Sequence, residues 1–198
     1  GALNNFERAF NFTASDYFMW LGGHDYISNH LLSNALEVLK NEADISMVCG
    51  QPMAVMNEKV LGHVSAANYS FNDDFAYNRY LKSVAELANC TIFHSVFRRS
   101  ALEGYDFRHT LSHDHVLISR LLAFGKLYYL KNDFYFRRYF SERETTQEER
   151  MLGEIKKMNR TDFYDHYLTD FKKVFSNQPH VLAQAENIKK VLIKRFGV

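Results

Sequence analysis

Apolar residues recur at helical spacing in several stretches of this chain. Leu3, Phe6, Ala9 and Phe10 share one face of a helix expected over 2–14. Leu31, Leu32, Ala35, Leu36 and Leu39 do the same over 29–42, with Ser28 placed to cap the first turn. A helix is expected over 78–89. Another opens at Ser112-His113-Asp114-His115, carries Val116, Leu117, Ile118, Leu121, Leu122 and Phe124, and stops at Gly125. Further on, Phe163, Tyr167, Phe171 and Phe175 repeat every fourth residue. A last helix over 181–196 aligns Leu182, Ala185, Ile188, Leu192 and Phe196.

Between these lie apolar runs of strand length: 16–21, 45–49 closed by Gly50, and 91–97, which reads TIFHSVF. Residues 51–65 alternate loosely and predict a strand or hairpin at a sheet edge. Residues 126–139 predict one strand, or a hairpin turning at Lys131-Asn132-Asp133. The stretches 66–77 and 103–111 read as loops. Strands alternating with helices predict an α/β sheet domain over 1–140. At Ser141 the composition changes, and 141–150 (SERETTQEER) is almost wholly polar. Residues 141–198 therefore read as a helical extension.

Charge removes one class of partner. Lys and Arg total 24 against 23 Asp and Glu, a net charge of +1, so no nucleic-acid partner is expected. Cys49 and Cys90 sit in apolar runs without zinc spacing and read as buried, reduced thiols of a cytoplasmic protein. No apolar run reaches the roughly 18–20 residues of a membrane span. Gly1 reads as a remnant of tag cleavage, with the natural start upstream.

Two turns carry ionisable groups where strands and helices end, the usual place for function in α/β sheets. Gly22-Gly23-His24-Asp25 follows a buried strand. Its imidazole and carboxylate could hold a divalent ion, or merely face water. Ser112-His113-Asp114-His115 opens a helix. Asp114 could serve only the helix dipole, worth roughly 0.3–1 kcal/mol. It could instead act as a general base, worth typically ~10²–10⁴-fold in rate.

The order of these segments resembles family-2 glycosyltransferases, nucleotide-sugar enzymes of the GT-A fold. The resemblance rests on Tyr17 through Ser28, then a helix, then Ala43-Asp44-Ile45-Ser46-Met47-Val48. It continues through Val96-Phe97-Arg98-Arg99-Ser100-Ala101-Leu102, Ser112-His113-Asp114-His115, Arg120, Gly125-Lys126 and Tyr135-Phe136-Arg137-Arg138. It covers roughly residues 3–145 and implies the acceptor-side portion of a GT-A-like mixed sheet. The family's strand ending in an acidic turn falls on His24 and Asp25, which implies a site for Mn²⁺ or Mg²⁺. Its catalytic base falls on Asp114, next to His113. Arg98, Arg99, Arg137 and Arg138 would meet a diphosphate or an acidic acceptor, since Arg pairs with phosphate in bidentate fashion. Trp20 would stack on a sugar or, as the simpler reading, fill the core.

The resemblance implies inverting transfer from a nucleotide-sugar donor to a hydroxyl of a glycan or lipid-linked acceptor, in glycan or cell-surface polysaccharide synthesis. A lipid-linked acceptor would bring the protein to the inner face of the membrane; the last helix could lie on that surface, but with four basic residues and an ordinary apolar face its simpler use is to pack on its own domain. Two departures stand out. The acidic turn holds fewer carboxylates than the family's, which weakens the case for a metal. Nothing here matches the family's N-terminal βαβαβ half, so a fragment inactive by itself is expected. Two other classes compete: a glycosyltransferase-like binding module without catalysis, and an HD-type metal phosphohydrolase using His24-Asp25 and His113-Asp114. The last would require an all-helical domain.

Overall fold

The computed structural model describes residues 2–64, 70–108, 110, 112–140 and 159–197. The polar run 141–150 lies outside the described residues. Helix α1 spans Ala2–Asn11, followed by short strands β1 (Tyr17–Phe18) and β2 (Tyr26–Ile27). Helix α2 (Leu31–Asn41) leads into β3 (Ile45–Met56) and β4 (Lys59–His63). Helix α3 (Ala76–Glu86) precedes a 3-10 turn (Cys90–His94) and β5 (Val96–Arg98). A second 3-10 turn (Arg99–Leu102), α4 (His113–Phe124) and β6 (Lys126–Tyr139) complete the sheet region. Helices α5 (Arg160–Val174), α6 (Pro179–Leu182) and α7 (Ala185–Phe196) follow.

The six strands form one mixed sheet in the order β1-β5-β3-β6-β2, with β4 paired to β3. β3 and β6 run parallel along their whole length, and β5 is antiparallel to β3. The expected α/β class is therefore the observed one. An all-helical HD-type domain is excluded.

The sheet is covered on both faces. Ile45 and Val48 pack with Leu31, Ala35 and Leu39 of α2. Met47 and Cys49 face a larger core containing α3, α4 and α5. Helix α4 is buried continuously from His115 to Ala123, which explains its weak amphipathic pattern. The four-residue aromatic repeat of α5 is buried in that same core, where Tyr80 of α3 meets Tyr167, Phe171 and Phe175.

Three local expectations change, and one of two alternatives is settled. β3 continues through Gly50 to Met56 instead of ending there. β6 is one strand, and Lys131-Asn132-Asp133 are three extra residues in its register, because Gly50 pairs with Leu130 but Gln51 with Phe134. Gly50 is required at this bulge: a Cβ there would meet Leu31 and lie 2.8 Å from the Asp133 carbonyl. Ser28 does not cap α2; its hydroxyl donates to Asp133 Oδ1 and accepts from the Phe134 N–H. The β-prone run 91–97 begins as a 3-10 turn, since the Asn89 side chain accepts from the Thr91 N–H at 2.8 Å and bends the chain. Only Val96–Arg98 reaches the sheet.

Candidate active site

Helix α4 begins directly after Ser112, whose φ of 49° and ψ of 41° place a non-glycine residue in the left-handed region. Such backbone costs about 1–3 kcal/mol and clusters at functional sites. It sets Asp114 in the first turn of α4, where Oδ1 accepts from the His115 N–H at 3.0 Å. The Cys90 thiol also bonds the Asp114 carboxylate; burial, reinforced by that carboxylate, pushes the thiol well above its ordinary pKa. Cys90 is thus a neutral neighbour and not a nucleophile.

Asp114 opens on a cavity of about 180 Å³, walled by Phe6, Phe93, His94, His113 and Arg137. A shallower groove of about 440 Å³ shares Asp114 and Arg137 and continues past Asn89 and His115 to Arg195 and Phe196 of α7. Burial pulls His115 down to about 4, so that ring is neutral at pH 7. The Arg137 guanidinium lies over the Tyr139 ring at 5.3 Å and makes no hydrogen bond or ion pair among the described residues. The structure therefore brings Asp114, His113 and Arg137 to one place.

Trp20 stands behind this cavity. It is 4% exposed, stacks on Phe93 at 4.8 Å and 8°, and donates its indole N–H to the Phe6 carbonyl. That position serves the core, and the sugar-stacking role expected of Trp20 has no open ring face to use.

His24 and Asp25 occupy a separate turn, closed by the Asp25 N–H to the Gly22 carbonyl at 3.0 Å. Asp25 Oδ1 accepts from the Arg138 N–H at 3.0 Å, and Oδ2 accepts from the Tyr135 hydroxyl. The His24 ring meets Phe140 edge-on at 5.3 Å. Among the described residues, no three His, Cys, Asp or Glu gather as a metal site. One carboxylate and one imidazole supply fewer oxygens than the shell of Mg²⁺ or Mn²⁺ takes, so this turn by itself does not make a site for either. Arg138 lies over the Tyr26 ring at 5.1 Å and faces Glu58 at 3.6 Å.

Arg98 and Arg99 lie at the other end of the sheet. Arg98 donates to the carbonyls of Ile45, Leu39 and Glu42, closing the end of α2. Arg99 donates to the Phe10 carbonyl at 2.6 Å and packs on its ring at 4.0 Å. Arg137 pairs with Ala54, nine residues beyond Ile45 on β3, roughly 25–30 Å away at the usual strand rise. The four arginines thus divide between two ends of one sheet.

Sequence reasoning missed His94 and Tyr135. The two rings stack at 4.8 Å and 10°, between the Asp25 turn and the Asp114 cavity. Burial holds His94 below its ordinary pKa, against the pull of the Trp20 carbonyl and of Asp25. Burial, then the Asp25 bond, raise the Tyr135 phenol well above its usual range. Nothing in TIFHSVF singles out His94, because its place depends on the 3-10 turn.

Among the described residues, no helix is long and apolar enough to cross a membrane. No family model matches the sequence, and no curated protein matches it. The fold is similar to the crystal structure of S. aureus TarS 1-349, a glycosyltransferase, with a TM-score of 0.54 and 11% identity. The match covers 95% of this chain and 51% of that one, so the chain spans about half the length of that structure. At this identity the likeness is one of fold.

Proposed function

We propose that this chain carries the acceptor-side catalytic part of a family-2, GT-A-type glycosyltransferase, acting within a longer protein. The observation that carries the reading is Asp114, a carboxylate at the head of a buried helix. It opens on a cavity beside Arg137, which has no ion pair among the described residues. A fold shared with a glycosyltransferase supports it.

In this reading a hydroxyl of a glycan or lipid-linked acceptor enters the cavity and gives its proton to Asp114. The oxygen attacks the anomeric carbon of a nucleotide sugar from the face opposite the nucleotide, and the configuration inverts. The nucleoside diphosphate leaves with both bonding electrons. Arg137 faces the negative charge that develops, and its lack of an internal partner leaves it available for this. No step runs through a metal, because the His24-Asp25 turn does not fit one. The reaction would take place on the cytoplasmic side, where nucleotide sugars are made.

The test is release of nucleoside diphosphate from a panel of UDP-, GDP- and TDP-sugars by the longer protein. Asp114→Asn is expected to lower turnover by ~10²–10⁴-fold while leaving the fold intact. If the variant turns over like the parent, Asp114 is not the base. If no donor is bound or consumed, a non-catalytic glycan-binding module becomes the better reading. The internal use of both Asp25 oxygens by β6 is the observation that favours this second reading.

A further inference from the structure

We propose that the cavity in front of Asp114 is a subsite for one uncharged sugar ring of the acceptor, and that His94 reads a hydroxyl of that ring. The proposal rests on the transferase reading and adds to it the size, the polarity and one specificity-determining residue.

Size comes first. About 180 Å³ corresponds to roughly six water volumes, room for one monosaccharide ring and little more. The walls have the two characters a sugar needs. Phe6, partly exposed and edge-to-face with the buried Phe93 at 5.1 Å, supplies aromatic surface for the C–H face of a ring. His94, His113, Asp114 and Arg137 supply polar atoms for its edge.

His94 is the fixed polar group. Its Nδ1 lies 2.8 Å from the Trp20 carbonyl, and a carbonyl oxygen can only accept, so Nδ1 carries the proton. In the neutral ring Nε2 is then a pure acceptor. The ring cannot turn away, because Tyr135 stacks on one face and Phe93 meets it at 5.3 Å and 90°. Nε2 has no hydrogen-bond partner among the described residues. The atom is not sealed from solvent, so a ligand hydroxyl entering the cavity would replace water as its donor. Burial also disfavours the charged ring, so the acceptor persists at neutral pH. A neutral acceptor beside a carboxylate divides the labour: Nε2 holds one hydroxyl in place, and Asp114 takes the proton of another.

The test is NMR titration of this chain with methyl glycosides of glucose, galactose and N-acetylglucosamine, with glycerol as the acyclic polyol. One of the glycosides is expected to show saturation transfer and to shift the Nε2 resonance of His94, which a merely structural imidazole would not do. His94→Asn keeps an N–H for the Trp20 carbonyl but has no atom at Nε2, so it is expected to fold and to bind about tenfold more weakly. His94→Gln, with a polar atom near Nε2, is expected to recover part of that loss. Equal binding by His94→Asn, an unmoved Nε2 resonance, or glycerol binding as well as any glycoside overturns the inference. If no glycoside binds while the longer protein consumes a nucleotide sugar, the subsite falls and the transferase reading stands. If a glycoside binds through His94 but Asp114→Asn leaves turnover unchanged, the base assignment falls and the sugar subsite stands.

Discussion

Two His-Asp pairs, His24-Asp25 and His113-Asp114, look alike in sequence and are used differently. Asp25 is held from outside its own turn: β6 brings the Arg138 N–H to one oxygen and the Tyr135 hydroxyl to the other. Asp114 accepts from the amide of the next residue, touches a neutral thiol, and otherwise borders a cavity. The first carboxylate fastens the turn between β1 and β2 onto the sheet. The second is kept near the ligand space. What separates them is not the dipeptide but whether a distant strand supplies donors.

The comparison can be broken at either aspartate. The largest effect expected is the ~10²–10⁴-fold loss of turnover in Asp114→Asn, with little change in Tm. Asp25→Ala should do the reverse in kind. Loss of two hydrogen bonds to a charged group is expected to lower stability by about 2–4 kcal/mol, seen in urea melts as a lower midpoint at unchanged slope. If Asp25→Ala melts like the parent, the turn is not fastened this way.

Acid sharpens the comparison from behind Asp114. Burial lowers both His115 and His166 to about 4, so between pH 6.5 and 4 the unfolded chain takes up two protons that the folded chain refuses. Asp170, 2.7 Å from Arg120 in the core, is raised by its burial to about 6 and acts in the opposite sense. Its contribution is present at low pH and is lost as pH rises through 6. Two protons against one leave a net of one, and His94, also held below its ordinary pKa by burial, adds a part in the same sense. Stability is expected to fall on acidification from pH 6 to 4, by ~1.4 kcal/mol per unit. His115→Gln should flatten that slope toward zero; a slope that stays unchanged would remove His115 from the balance. The smallest effect is Tyr135→Phe, which deletes one of the two donors to Asp25 and is expected to cost about 1 kcal/mol. Combined with Asp25→Ala it should add almost nothing, since the two changes break the same bond.

The helices were legible because burial on one face leaves a period in the chain. Leu31, Ala35 and Leu39, and the aromatic repeat of α5, show this directly. The α/β class followed from alternation. The errors fall where one segment's conformation depends on a remote one. Gly50 reads as a strand end, yet it is glycine because the Asp133 carbonyl passes 2.8 Å from where a Cβ would stand. Lys131-Asn132-Asp133 has turn composition and is a bulge, with Asp133 accepting from Ser28 and Asn34. The arginines follow the same rule. Their type pointed to phosphate, but Arg98 and Arg99 meet backbone carbonyls at the far end of the sheet, which no local pattern encodes. His94 stayed hidden because an Asx bond at Asn89 overrides the β propensity of the residues after it.

The guanidinium of Arg195 ties the groove to the order in which the chain is made. It donates to the carbonyls of Ser83, Val84 and Leu87, contacts that span 112, 111 and 108 residues. Arg195 and Phe196 form the outer wall of the groove beside Asp114. During synthesis the sheet, α3 and α4 emerge well before that wall exists, and the loop it closes is among the longest available to this chain. Groove closure is therefore a late, high-contact-order event, and a ribosome-stalled chain ending before α7 would present Asp114 with one side of its groove still open.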